Sequence, residues 1–132
     1  MSNLKRNNSE RFADVMQNFI LNNGRFTEGY SKLVSNVHIE KKEGVITARM
    51  NNKVMMCLTP KDRENEFDFS MRFINATAMS RINAVKELFE WDDFNVTMKG
   101  TLPFICKDDG SCEALCSSKL YTKTELSLLT RA

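Results

Sequence analysis

Glycine and proline are scarce in this 132-residue chain, which contains five glycines and two prolines. None of the glycines has the spacing Gly-x-Gly-x-x-Gly or Gly-x-x-x-x-Gly-Lys-Ser/Thr that loops use to hold nucleotide phosphates. The absence of these motifs argues against nucleotide-dependent catalysis. The sequence also has no linker rich in Pro, Gly or Ser, and its length allows one hydrophobic core. We therefore predict a single domain over residues 1–132, with a polar N-terminal tail at 1–7.

A strong excess of one charge and long apolar runs are likewise missing. The chain has 19 Lys and Arg residues against 17 Asp and Glu residues, and its formal net charge is +2. Proteins that bind nucleic acid typically gather basic residues on one face, whereas here they are scattered. No run approaches the length of a membrane span, and the N-terminus has no apolar segment typical of a signal peptide. We therefore predict a cytoplasmic protein without membrane contact, whose cysteines are thiols.

Histidine occurs once, at His38. A serine or cysteine hydrolase needs a base beside its nucleophile, and no serine stands in a Gly-x-Ser-x-Gly elbow. We expect His38 on the solvated side of a strand, because one face of an antiparallel sheet is commonly wet. No arrangement of acids, bases or nucleophiles indicates catalysis. The sequence therefore predicts a protein that is not an enzyme and that has no catalytic residues, no metal and no cofactor.

Residue spacing predicts three helices. Apolar residues at i, i+3, i+4, i+7 and i+8 from Phe12 onward indicate an amphipathic helix at about 8–22. Asn75 is a favoured N-cap residue, and it predicts the start of a second helix. Thr122 and Glu125 have the spacing of a capping box, which predicts a last helix near the C-terminal end. These positions leave the middle of the chain for strands.

Alternating apolar and polar residues predict a three-stranded antiparallel meander over residues 37–58. A four-residue loop in its first hairpin sets Ile39 opposite Ile46. The Asn-Asn pair at 51–52 suits a two-residue turn, because asparagine tolerates positive φ. With that turn, Ile46 faces Cys57 across the second hairpin and Cys57 belongs to the sheet interior.

The order of the elements predicts the fold class. Strand alternation is clearest at 67–73, and further strands are expected at 94–98 and 102–106. The pattern at residues 25–35 is ambiguous, with one short helical turn capped by Thr27 as an option, and residues 112–120 suit either a strand or a helix. A helix, four strands, a second helix and further strands are typical of α+β folds. We predict an antiparallel β-sheet of about four to six strands with two main helices packed on one face.

Three of the four cysteines fall within residues 106–116. The Asp-Asp-Gly sequence there predicts a three-residue hairpin loop with Gly110 in the left-handed conformation, which makes Cys106 face Cys112. The spacing fits neither a zinc knuckle nor a redox Cys-x-x-Cys motif. Free cysteine is often buried, so packed thiols are the first interpretation. A thiol pair at Cys106 and Cys112, as a disulfide or in a metal site, is the alternative, and it requires residues 112–116 to form a strand.

Glu90, Trp91, Asp92 and Asp93 follow the second predicted helix and form the candidate partner-binding site. Carboxylates at a helix C-terminus oppose the helix dipole, at a cost of about 0.3–1 kcal/mol each. Trp91 is a large amphipathic side chain of the kind that anchors interfaces. We expect its truncation to weaken partner binding with little effect on thermal stability. The alternative is that Asp92 and Asp93 only shape a turn.

The absence of catalytic motifs and this contact site predict a small non-enzymatic binding protein that acts by macromolecular contact with a protein partner. Frequent asparagine and small size suit a bacteriophage-type accessory or inhibitor protein, which would act in the host cytoplasm. A first alternative is a nucleic-acid-binding protein that contacts phosphates through Lys5, Arg6 and Arg11. A second is a homo-oligomeric component of a virion or another assembly.

Overall fold

The computed structural model describes residues 8–21, 29, 31–34, 36–61 and 67–131. Over these ranges the chain forms three helices and two antiparallel sheets, which confirms the predicted α+β class. The elements in chain order are α1 (Asn8–Leu21), β1 (Ser31–Val34), β2 (Val37–Lys42), β3 (Val45–Met50), β4 (Lys53–Pro60), β5 (Phe67–Met71), α2 (Ala76–Leu88), β6 (Val96–Lys99), β7 (Leu102–Cys106), β8 (Cys112–Ala114), β9 (Tyr121–Thr122) and α3 (Lys123–Arg131).

The strands divide into two sheets. The first has the order β1-β2-β3-β4-β5-β9 and the second has the order β6-β7-β8. The strands after α2 thus pair mainly with one another, and only β9 returns to the first sheet, where it covers the edge of β5. Within the segment 25–35, whose sequence pattern was ambiguous, residues 31–34 form a strand and not a helical turn, since β1 pairs with β2 along its whole length. The rest of that segment and the polar tail at 1–7 lie outside the described residues.

The first hairpin turns in two residues and not in the predicted four. Glu43 and Gly44 have φ values of 54° and 79°, and Lys42 pairs with Val45. Two consecutive positive φ values define the turn whose twist matches that of a hairpin. Ile39 therefore lies opposite Ala48 rather than Ile46. The register differs by two residues, so the apolar side chains stay on the same face of the sheet.

The second hairpin has the predicted turn but a different register beyond it. Asn51 and Asn52 have φ values of 53° and 65°, so both occupy the left-handed region. A β-bulge then shifts the pairing between Ala48 and Arg49, and Met55 is the extra residue. Its carbonyl oxygen accepts a hydrogen bond of 2.8 Å from the backbone N–H of Arg72.

The bulge changes which face Cys57 occupies. It buries the adjacent side chains of Met55 and Met56 completely, which a regular strand would not do. Cys57 then lies opposite Thr47 and Ser70 among half-buried polar residues. The prediction that Cys57 belongs to the sheet interior is therefore wrong. It assumed strict alternation along the strand, and nothing in the sequence pattern indicates the inserted residue.

One contiguous core joins the helices to both sheets. The buried side chains of α1 and α2 meet those of one face of the first sheet, and the core extends to β6, β7 and α3. Its largest fully buried side chains are Phe12, Phe73, Met16, Ile39, Ile46, Met50, Met55, Met56, Leu58, Met71 and Ile82. Many of these are methionines, whose flexible side chains fill irregular gaps.

A buried guanidinium ties the two long helices to the sheet. Arg81 of α2 donates hydrogen bonds of 3.0 Å to Ser9 Oγ and 2.8 Å to Asn36 Oδ1. Burial lowers the pKa of the Arg81 guanidinium. Within the described ranges no carboxylate forms an ion pair with Arg81. Its guanidinium is hydrogen-bonded instead to the neutral oxygen atoms of Ser9 and Asn36. This contact fixes α1, α2 and the turn between β1 and β2 relative to one another.

The N-cap of α2 gives a direct test of the helix boundary. Asn75 Oδ1 accepts a 2.9 Å hydrogen bond from the N–H of Ala78. We expect Asn75→Ala to lower the free energy of unfolding by about 1 kcal/mol, because one helical N–H loses its acceptor. Asn75→Asp is the matched control, since it keeps the acceptor and adds a charge that the helix N-terminus favours. Equal losses in the two variants, measured by urea unfolding, would contradict this role.

Candidate functional site

The end of α2 determines where the predicted partner-binding residues lie. Trp91 N–H donates to the carbonyl of Lys86 at 2.9 Å, and Glu90 N–H donates to that of Glu87 at 3.2 Å. This pair of hydrogen bonds is the Schellman motif, whose left-handed residue is usually glycine. Here Glu90 has that conformation, with a φ of 56°. The left-handed conformation costs an ordinary residue roughly 1–2 kcal/mol, so the site includes a strained residue.

Trp91 lies in an aromatic cluster and is half-buried. Its ring centroid is 4.7 Å from that of Phe69 in an edge-to-face contact and 5.7 Å from that of Phe89 in a stacked contact. Each such pair contributes about 0.5–1.5 kcal/mol beyond the area it buries. This packing argues against the expectation that Trp91 can be truncated with little loss of stability, because the ring packs against the core on one side.

Asp93 connects the loop after α2 to α3. The Nζ atom of Lys123 donates a 3.0 Å hydrogen bond to Asp93 Oδ2 and lies 5.4 Å from the centroid of the Trp91 ring. Burial raises the pKa of Asp93, but hydrogen bonds from Lys123, from the backbone and from Ser127 outweigh it, so the pKa lies below its usual range. Asp93 therefore stays ionised and holds the start of α3.

A cleft of about 430 Å³ opens between β5 and α3. Trp91, Phe67 and Phe69 supply its aromatic wall. We call it the Trp91 cleft. Its charged residues are Lys61, Asp68, Asp93, Lys123 and Arg131. Lys61 pairs with Asp68 at 3.4 Å. With Lys123 also paired, the described lining of the cleft has three cations against two carboxylates.

The four predicted residues do not form one surface. Trp91 and Asp93 line the Trp91 cleft, whereas Glu90 lines a separate groove of about 380 Å³ between α1 and α2. Asp92 is exposed. The Schellman turn separates them, because it reverses the chain between Glu90 and Trp91. Neighbouring positions in the sequence therefore project to different sides of the molecule.

Leu128 marks a surface that the sequence analysis did not identify. It lies on α3, it is 59% exposed, and it borders both the Trp91 cleft and a second cleft of about 560 Å³ on the other side of the helix. We call α3 with these two clefts the α3 surface. Its members are Trp91, Asp93, Lys123, Leu128 and Arg131 on one side, and Glu113, Tyr121, Glu125 and Leu129 on the other.

The spacing of the leucines in α3 indicates that Leu128 is exposed. Leu126, Leu128 and Leu129 cannot share one face of a helix, since Leu126 and Leu129 are three positions apart and Leu128 lies on the far side. The structure buries Leu126 and half-buries Leu129. The remaining leucine of this group had to point outward.

Capping and a backbone contact hold α3 in place. Thr122 N–H donates to Glu125 Oε1, and Glu125 N–H donates to Thr122 Oγ1, both at 3.0 Å, as the capping-box pattern predicts. The hydrogen bond from the Thr122 backbone is the main reason that the pKa of Glu125 lies below its usual range. At the other end, Asp108 N–H donates to the carbonyl of Thr130 at 3.0 Å.

The cysteine segment forms the hairpin of β7 and β8. Cys106 pairs with Cys112 in the strand register, and their Sγ atoms are 3.5 Å apart. All four cysteines of the chain are free thiols. Among the residues that the structure describes, no three His, Cys, Asp or Glu side chains converge as metal ligands.

His38 contacts a serine that the sequence analysis did not consider. Its Nε2 atom lies 2.5 Å from the Oγ atom of Ser31 across β1 and β2. Ser31 is exposed, and neither residue lines the clefts described above. The contact brings a hydroxyl to an imidazole at the edge of the sheet.

The residues of the nucleic-acid alternative are only partly described. Lys5 and Arg6 lie outside the described residues. Arg11 is exposed on α1 and lines a shallow cleft with Asp14 and Lys32. Nucleic-acid binding through these three basic residues therefore stays a prediction from the sequence.

A cleft of about 740 Å³ lies beside α2 and β6. Its ionisable side chains are Glu10 and Glu87, and its hydroxyl groups include those of Ser9 and Ser80.

Among the described residues, none of the helices has the length and apolar character of a membrane span. Comparison with protein-family models, with curated proteins and with solved structures gives no match.

The strain at Glu90 can be measured directly. We expect Glu90→Gly to raise the free energy of unfolding by about 1 kcal/mol, since glycine adopts positive φ without steric cost. Glu90→Ala removes the same carboxylate but keeps a Cβ atom, so it should gain only a few tenths of a kcal/mol from the helix dipole. Equal gains in both variants, measured by denaturant unfolding, would show that the backbone conformation is not the cause.

Glu125 should make stability depend on acidic pH. Its pKa is lowered in the folded protein, so its contribution is complete above the unfolded pKa of about 4.3 and is lost as the pH falls through the folded pKa. Glutamine can still accept the Thr122 hydrogen bond but does not titrate. We therefore expect Glu125→Gln to lose less Tm than the unmodified protein between about pH 6 and pH 3. Identical Tm profiles in the two proteins would refute this assignment.

Proposed function

We propose that the protein is a small non-enzymatic binding protein that contacts a protein partner through the α3 surface. The observation that carries this proposal is the position of Leu128. Among the described residues, the large apolar side chains that are more than half exposed are those of Leu33, Leu102 and Leu128. Of these, Leu128 borders two clefts and lies near several aromatic rings. An exposed apolar residue beside aromatic side chains and a polar rim is typical of an interface centre.

The charges of the Trp91 cleft indicate the chemistry of the partner. Lys61 and Lys123 are paired with carboxylates, whereas no ion pair of Arg131 is found within the described residues. A segment with an apolar side chain beside a carboxylate complements this arrangement, because it can cover Leu128 and pair with Arg131. Charges at an interface rim mainly steer association and set its salt dependence.

The contact role is compatible with the accessory or inhibitor class that the sequence predicts. Such proteins act by covering a surface of another macromolecule, which requires an exposed contact surface but no catalytic site. The rigid placement of α3 by its capping box and by Lys123 supports this role, since a preorganised surface loses less entropy on binding.

The test compares two exposed leucines. Leu128→Ser should weaken binding of the partner at least tenfold, because a central apolar contact is lost, and should change the Tm little. Leu33→Ser is the matched control, since Leu33 is 67% exposed on β1 at the opposite edge of the first sheet. β1 and β9 are five strand spacings apart, which is roughly 24 Å.

A partner captured with the unmodified protein would be purified and its dissociation constants measured with both variants. Retained binding in Leu128→Ser, or equal loss in Leu33→Ser, would overturn the proposal. Light scattering tests the assembly alternative, which predicts a homo-oligomer. Steep loss of affinity with salt, unchanged by Leu128→Ser, would instead favour nucleic acid as the ligand.

A further inference from the structure

The hairpin of β7 and β8 holds two cysteines in a geometry that suits a disulfide. Lys107 N–H donates to the carbonyl of Ser111 at 2.8 Å, and Gly110 N–H donates to that of Lys107 at 2.9 Å. Antiparallel ladders alternate hydrogen-bonded and non-hydrogen-bonded pairs, so Cys106 and Cys112 form a non-hydrogen-bonded pair. The Cα atoms of such a pair are about 4.5 Å apart, within the range of about 4.4–6.8 Å that disulfides require.

The loop that joins the two cysteines is held by its own side chains. Asp109 Oδ1 accepts hydrogen bonds of 2.6 Å from the Ser111 hydroxyl and 2.8 Å from the Ser111 N–H. Gly110 has a φ of 90°, which places it in the left-handed position of a three-residue hairpin loop. Lys107 pairs with Glu113 across the strands at 3.4 Å. The register that brings the thiols together is thus fixed by contacts independent of the cysteines.

The two thiols differ in access. Cys112 is exposed and Cys106 is half-buried, with 3.5 Å between their Sγ atoms. The hydrogen bond with Cys112 raises the pKa of Cys106. Cys112 is therefore the thiol that meets a reagent from solution, and Cys106 is placed to react second.

We propose that Cys106 and Cys112 form a reversible intramolecular disulfide by exchange with a low-molecular-weight disulfide. The Cys112 thiol loses its proton to water, and its thiolate attacks one sulfur of the oxidant. A mixed disulfide forms and one thiolate leaves. Cys106, also deprotonated, then attacks Cys112 Sγ, and the second thiolate leaves and takes up a proton. The two cysteines are oxidised and one disulfide is reduced to two thiols.

Cys116 is the competing thiol and determines the design of the experiment. It is exposed, and its hydrogen bond with the Ser118 hydroxyl is the main cause of a lowered pKa. A single reactive thiol without a partner would form a stable adduct with the oxidant. The test therefore uses the full chain with Cys57→Ser and Cys116→Ser, and circular dichroism confirms that this variant is folded.

The probe is a glutathione redox buffer, with intact mass and free thiols as readouts. We expect both thiols to be lost together, with a mass decrease of two hydrogens and no glutathione adduct. The ratio of reduced to oxidised protein should be proportional to the square of the reduced glutathione concentration divided by the oxidised glutathione concentration, because two glutathione thiols are released for each protein disulfide formed. A further Cys106→Ser change is the matched control and should give a glutathione adduct that depends on the first power.

Three results would overturn the proposal. The first is a persistent glutathione adduct on Cys112 in the two-cysteine variant, and the second is a disulfide-linked dimer. The third is that Cys106 and Cys112 both stay reduced in a glutathione buffer that forms the adduct on the Cys106→Ser control. Peptide mapping of the unmodified chain, after alkylation of the remaining thiols, gives a second readout that needs no substitution. It should find the Cys106–Cys112 linkage, and a linkage through Cys116 would instead refute the assignment.

Discussion

The structure depends on the turn by which the chain leaves α2. The Schellman hydrogen bonds reverse the chain and place Trp91 against Phe69 of β5. That contact connects the first sheet to the segment that leads into the second sheet. Lys123, near the C-terminal end of the chain, contacts the same segment, because it pairs with Asp93 and its Nζ atom lies over the Trp91 ring. The Trp91 cleft exists because three distant segments converge on one aromatic side chain.

The magnitudes show which of these contacts matters most. Each aromatic pair contributes about 0.5–1.5 kcal/mol and the cation–π contact about 0.5–1 kcal/mol. The ion pair of Lys123 with Asp93 is partly exposed, and such pairs contribute about 0–1 kcal/mol. Packing of Trp91 therefore dominates, and the ion pair mainly fixes the direction of α3. Trp91 is first a structural residue, and its exposed side is available for contact.

Local sequence signals predicted the helices and several turns correctly. The cap at Asn75 and the capping box at Thr122 each depend on residues within four positions, so spacing alone identifies them. The hairpin that makes Cys106 face Cys112 follows in the same way from the Asp-Asp-Gly loop. Signals of this kind succeed because the interacting groups are close in the chain.

Features that depend on distant contacts were not predictable. The bulge at Met55 inserts one residue without any change in the apolar pattern, and so Cys57 was assigned to the wrong face. The separation of Glu90 from Trp91 depends on a left-handed residue that is not glycine. The α3 surface combines residues from four parts of the sequence, which only the tertiary structure brings together.

The cysteine hairpin and the α3 surface are in direct contact, which constrains how one can affect the other. Asp108 binds the last turn of α3, and Glu113 lines the cleft beside Leu128. A disulfide brings the two Sγ atoms from 3.5 Å to about 2.05 Å without a change of register. Because the register is kept, we expect oxidation to leave Leu128 and the shape of the α3 surface unchanged.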